Sequence, residues 1–153
     1  REYAVTLIRG DPGVGWYKHK GTMTASVGEW RAHVRKGDDG FDAWRVPAKG
    51  EPELWRERFA TLEDGCAWCN DRIRELGIFL RPIDLDWKRE ASTEKQQRYL
   101  KRLGLRRDTS TMSRGEASAL IDAQGADLAV GDFLDPARAA RREAARARYR
   151  RGA

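Results

Sequence analysis

At 153 residues, 40% of them hydrophobic, the chain is long enough for one domain or for a small domain with a helical appendage. No apolar run approaches the roughly 20 residues that cross a bilayer, and no charged, then apolar, then small-residue series marks a signal peptide. Membrane-spanning classes are thereby excluded, and a cytoplasmic protein is predicted. The net charge of +6 is unevenly placed: from Pro136 onward there are seven arginines and one acid, Glu143, while the rest of the chain balances 23 basic against 23 acidic residues. Within that neutral body, residues 88–107 carry eight basic side chains against Glu90 and Glu94. Two separated basic segments suit a phosphate backbone or another acidic surface.

From the start of the chain, Tyr3 to Arg9 is rich in β-branched and aromatic residues and predicts a strand, with Asp11-Pro12-Gly13 as turn chemistry. Val14 to Lys20 predicts its hairpin partner, with Trp16, Lys18 and Lys20 on one face and Tyr17 and His19 on the other. Over Ser26 to Lys36, the Ser26 to Glu29 capping-box spacing, the helical spacing of Trp30, His33 and Val34, and Gly37 as a stop predict a helix. Phe41 to Pro47 and Glu53 to Phe59 follow as strands joined by the turn at residues 48–52. Trp44, Val46, Trp55 and Phe59 are their core candidates. Thr61 to Leu76 is the clearest helix, opened by Thr61 and Asp64 and striped by Leu62, Cys66, Cys69, Ile73 and Leu76, and it should cover one face of the sheet. Ile78 to Leu80 is placed as a short edge strand. Pro82 to Ala91 is a connection whose Leu85 and Trp87 pack back. Six tryptophans are many for this length; some fill the core, and an exposed one would stack on a base or an arginine.

Residues 92–124 predict two short helices around a basic loop. Thr93 with Gln96, and Ser113 with Glu116, have capping-box spacing, and Gly104 stops the first helix. Leu100 and Leu103, facing Ala117, Leu120 and Ile121, form a small core that Tyr99 caps. The stretch from Thr93 to Asp122 resembles, on these residues and Gly115, a small helical segment found alone in uncharacterised bacterial proteins and appended to helicases and nucleases. More loosely, it is similar to a SAP-type DNA-binding motif. The resemblance covers about thirty positions; it implies an accessory nucleic-acid contact and carries no catalytic residue.

Gln124 to Asp135 has no clear period and is read as irregular, with Leu128, Val130, Phe133 and Leu134 covering exposed core. Asp135 and Pro136 then open a helix with an alanine stripe at Ala137, Ala140, Ala144 and Ala147 and arginines on other sides. Such a stripe buries little area, so the tail has high helix propensity but weak reason to dock on its own domain.

Catalytic constellations are sparse. Gly10, Gly13 and Gly15 lack the Lys-Ser/Thr ending and following helix of a phosphate-binding loop. Asp38-Asp39 and Asp84-x-Asp86 are isolated acidic pairs, better read as solvated loops than as a nuclease site. Cys66-Ala-Trp-Cys69 has redox or half-zinc spacing, but only His19 and His33 could complete a zinc site, and the cysteines fall on the apolar stripe of a helix. Core packing is therefore the preferred reading. Neither a catalytic residue nor a metal ligand nor a cofactor is assigned.

The sequence thus predicts an α+β protein: a small antiparallel sheet with a covering helix over residues 1–80, a linker at 81–91, a helix-loop-helix at 92–124, and an irregular segment with an arginine-rich helix at 125–153. Its expected function is accessory nucleic-acid binding without catalysis, DNA ahead of RNA, through Lys95, Arg98, Lys101, Arg102, Arg106, Arg107, Arg114, Arg138, Arg141, Arg142, Arg146 and Arg148. The alternative is a protein-interaction module, an inhibitor or a subunit of a larger nucleoprotein assembly.

Overall fold

A computed structural model of the chain describes residues 5–7, 15–76, 90–105 and 108–152. The turn expected at Asp11-Pro12-Gly13, the edge strand at Ile78 to Leu80, most of the connection at 81–91, and Arg106 and Arg107 lie outside the described residues.

Six strands form one sheet in which each pairs antiparallel with its neighbour in the chain: β1 (Val5–Leu7), β2 (Gly15–His19), β3 (Thr22–Val27), β4 (Trp30–Gly37), β5 (Gly40–Pro47) and β6 (Glu53–Phe59). Two-residue turns make this possible. His19 pairs with Thr22 across Lys20 and Gly21, both at positive φ, as a type I′ hairpin requires. Val27 pairs with Trp30 across Gly28, whose φ of 62° only glycine adopts cheaply. That turn corrects the helix expected over Ser26 to Lys36. The segment is instead the end of β3, a turn and β4, because Trp30, Ala32 and Val34 alternate with Arg31, His33 and Arg35 and both sets find burial or partners. Sheet pairing of both neighbouring strands outweighs the local capping signal.

β6 lies at the sheet's edge and carries two register shifts, between Phe41 and Ala43 and between Ala43 and Trp44 of its partner β5. Bulges of this kind twist an edge away from pairing with another chain.

Helix α1 (Leu62–Glu75) covers one face of the sheet. Thr61 caps it, its hydroxyl accepting from the Asp64 amide at 3.0 Å. Cys66, Cys69 and Ile73 pack onto Trp16, Met23, Ala25, Val27, Ala32, Val34 and Ala43. The Trp16 indole N–H, buried with them, donates to Asn70 Oδ1 at 2.9 Å. Gly65 sets the approach: a Cβ there would stand 2.8 Å from Val34 Cγ1.

The opposite face is covered by α3 (Arg114–Leu134), against which α2 (Glu94–Arg102) packs. Tyr17 of β2 joins Leu100, Met112, Ala117, Leu120 and Ala123 in one cluster; Trp44 and Val46 of β5 join Ala126 and Val130 in another. The second cluster explains why Gln124 to Leu134 is helical rather than irregular. Ala126 and Val130, one helical turn apart, are buried against the sheet, and that burial outweighs the helix-weakening glycines at 125 and 131. Leu128 is half-buried; Phe133 meets the Trp44 ring edge-on, centroids 6.0 Å apart, while staying 43% exposed, and Leu134 is 59% exposed. Helix α4 (Pro136–Gly152) follows directly and has no buried residue.

Candidate nucleic-acid interface

Helix α2 is held by both of its ends. Its capping box is complete: the Gln96 amide donates to Thr93 Oγ1 at 3.1 Å and the Thr93 amide to Gln96 Oε1 at 3.0 Å. At the other end Gly104, with φ of 91°, allows a Schellman closure in which the Leu105 and Gly104 amides donate to the Leu100 and Lys101 carbonyls. Leading into α2 and α3, residues 90–92 and 112–114 run antiparallel, with the Ser92 amide on Met112 O and the Arg114 amide on Glu90 O. Leu100 and Leu120 are buried, with Leu103 and Ile121 half-buried beside them.

This fixed helix turns Lys95, Arg98, Lys101 and Arg102 to solvent. Lys95, Arg98 and Arg102 recur at three- and four-residue steps and so share a face. Tyr99 stands on that face too. It is 42% exposed rather than the lid of the small core, because its position borders the buried stripe instead of lying in it. Arg114 opens α3 half-buried, with Nη1 3.1 Å from Glu90 Oε2.

The tail arginines divide by partner. Arg142 forms a two-pronged ion pair with Asp132 of α3, Arg141 lies 3.8 Å from Asp135, and Arg146 lies 3.6 Å from Glu143. The bond to Arg142 is the chief reason the Asp132 carboxyl sits below its ordinary value. Arg138, Arg148, Arg150 and Arg151 are exposed without an ion pair among the described residues; the last two were not singled out from sequence.

Among the described residues, tryptophan stacking is engaged inside the chain. Arg45 lies over Trp30 at 4.6 Å and Trp55 at 5.3 Å, and Arg56 and Arg72 lie over Trp68 at 5.5 and 5.4 Å. The neighbouring open groove of about 610 Å³ mixes Glu29, Glu51 and Glu53 with Arg45 and Lys49, a poor match for phosphate.

Between the sheet and α3 lies a polar seam that the sequence did not reveal. Arg31 pairs with Asp122 at 2.9 Å, the His19 ring meets Gln124 Oε1 at 2.9 Å, and Arg35 stands 3.6 Å from Asp127. His33, fully buried, meets the Thr24 hydroxyl at 2.7 Å through Nδ1 and faces Asp127 at 3.6 Å through Nε2. Burial pushes the His33 pKa down. The Asp127 carboxylate facing Nε2 favours the tautomer with its proton there, which leaves Nδ1 to accept from the Thr24 hydroxyl. The His33 ring in turn is the main cause holding the Asp127 carboxyl low. Hydroxyl, imidazole and carboxylate in series resemble a nucleophile relay, but Thr24 is buried under α3, where no substrate can reach it.

Cys66 and Cys69 are buried thiols on the α1 side, whereas His33 faces α3 across the sheet, so these residues do not converge on a zinc ion. Burial raises both thiols, Cys69 to about 12. Among the described residues no group of three or more His, Cys, Asp and Glu side chains could hold a metal, and no helix is long and apolar enough to cross a membrane.

Comparison with known protein families, curated proteins and solved structures returns no match to this chain.

Proposed function

We propose that the chain is a non-catalytic accessory nucleic-acid-binding protein, favouring DNA, that grips the phosphate backbone through the exposed face of α2 and the arginines of α4. The observation that carries this reading is α4 itself: a helix with seven arginines against one acid and no buried side chain. A helix that gains nothing from its own core and concentrates this much positive charge is stabilised most by neutralisation from outside, and phosphates spaced along a strand supply it. The α2 face repeats the chemistry on a helix pinned by its caps.

Titrating a labelled duplex with the protein over a salt series tests this. Phosphate contacts release counterions, so affinity should fall log-linearly and steeply with salt. A flat salt response or absence of binding would contradict the reading.

One observation favours a second reading. Phe133 and Leu134, exposed at the junction of α3 and α4, would suit a protein partner whose acidic surface also meets the arginines. Capture of a protein that survives nuclease treatment and is released by Phe133→Ser would favour it.

A further inference from the structure

We infer that Tyr99 is a base-stacking residue and that the α2 face therefore takes an unpaired strand rather than a plain duplex. The inference rests on the nucleic-acid reading above and names the form of nucleic acid that α2 selects.

Its ground is a contrast among the aromatic side chains. Trp30, Trp55 and Trp68 have their ring faces engaged by Arg45, Arg56 and Arg72 and their edges by each other, with centroids 5.3 and 5.1 Å apart. Trp16 and Tyr17 are buried on opposite faces of the sheet. Tyr99, by contrast, has no ring-stacking or cation contact among the described residues, although Lys95, Arg98 and Arg102 share its helix face. Where this fold places an arginine beside a tryptophan on the α1 side of the sheet, the two stack; on α2 the cations and the ring are both left open to solvent.

That pairing of features fits a single strand. The cations meet the backbone, and an aromatic face among them offers a stacking site for any base whose own faces are free. In a duplex both faces of an internal base are covered by its neighbours, so Tyr99 adds nothing there. The capping box and the Schellman closure fix the backbone that carries Tyr99, which lowers the ordering cost of the helix on binding. Tyr149, 81% exposed between Arg148 and Arg150 on α4, repeats the combination at the tail.

The test compares Tyr99→Leu and Tyr99→Phe with the wild-type chain, using labelled oligothymidine and a labelled duplex of equal length at several salt concentrations. Leucine keeps an apolar side chain and the helix propensity but has no aromatic face; phenylalanine keeps the face. The expected result is about a tenfold loss on oligothymidine for Tyr99→Leu, wild-type affinity for Tyr99→Phe, and no change in duplex affinity or in either salt slope. Thermal melting of both variants at the wild-type temperature confirms that the fold is intact. Unchanged oligothymidine affinity for Tyr99→Leu, or an equal loss on the duplex, overturns the stacking role and leaves the backbone contacts standing. A wild-type chain that binds neither probe overturns both.

Discussion

Arg142 of α4 clasps the carboxylate of Asp132 on α3 with two guanidinium N–H groups, so the firmest side-chain link between the tail helix and the body among the described residues is an ion pair, not an apolar contact. The tail is thus tethered at its first turns and carries its remaining arginines outward. A half-exposed pair of this kind contributes about 1 kcal/mol or less. Asp132→Asn should therefore leave the melting temperature of the body almost unchanged while increasing amide exchange along α4, which hydrogen-exchange measurement would read directly.

Acidification should weaken the fold through His33. Its folded pKa is lowered by burial, so between that value and the ordinary 6.5 the unfolded chain binds a proton that the folded chain refuses, and stability falls as pH drops below about 6.5. Asp127, also lowered, adds loss in the same direction at lower pH. Asp122, raised by burial against the pull of Arg31, acts oppositely but only in the carboxylate range. The melting temperature should decline from pH 7 to pH 5, and His33→Gln should flatten that decline. An unchanged slope in the variant would remove His33 as the cause.

Gly65→Ala tests the closeness of α1 to the sheet. Alanine gains helix propensity of up to about 1 kcal/mol, but its methyl must displace Val34, whose Cγ1 would stand at 2.8 Å, and overpacking of this kind costs roughly 1–3 kcal/mol. Net destabilisation in a denaturant titration is expected; stabilisation would mean that α1 rides farther from β4.

Leu120→Ala should cost roughly 2–5 kcal/mol, since Leu120 is fully buried against Leu100 and Tyr17's cluster, and Leu103→Ala should cost less because Leu103 is only half-buried. Equal effects in paired denaturation curves would contradict the packing order. Reversing Lys95, Arg98, Lys101 and Arg102 to glutamate should instead weaken nucleic-acid binding and leave the helices formed.

Much of this architecture is legible in the chain because local and tertiary signals agree. Thr61, Thr93 and Ser113 each accept from the amide three residues on, as their spacing suggests, and Gly104 stops α2 in the conformation a glycine is needed for. Legibility fails where tertiary burial decides. Trp30, His33 and Val34 have helical spacing, yet strands on both sides claim them; Ala126 and Val130 have too few apolar neighbours to announce a helix, yet burial against Trp44 and Val46 makes one. The seam joining Arg31, His33 and Arg35 to Asp122 and Asp127 spans about ninety residues of sequence, and no spacing rule relates its halves. For the basic face, composition located the charge, but only the structure separates arginines tied to their own chain from those that are not.

That separation gives the central claim its most direct measurement: the salt slope of duplex binding for the whole chain against a chain lacking residues 136–153. Arg138, Arg148, Arg150 and Arg151 have no ion pair among the described residues. If each neutralises one phosphate at about 0.9 per contact, the truncated chain should bind more weakly at every sequence tested, with a log–log slope shallower by about 3 to 4. An unchanged affinity and slope after truncation would contradict the account, and would leave α4 a helix for a protein partner.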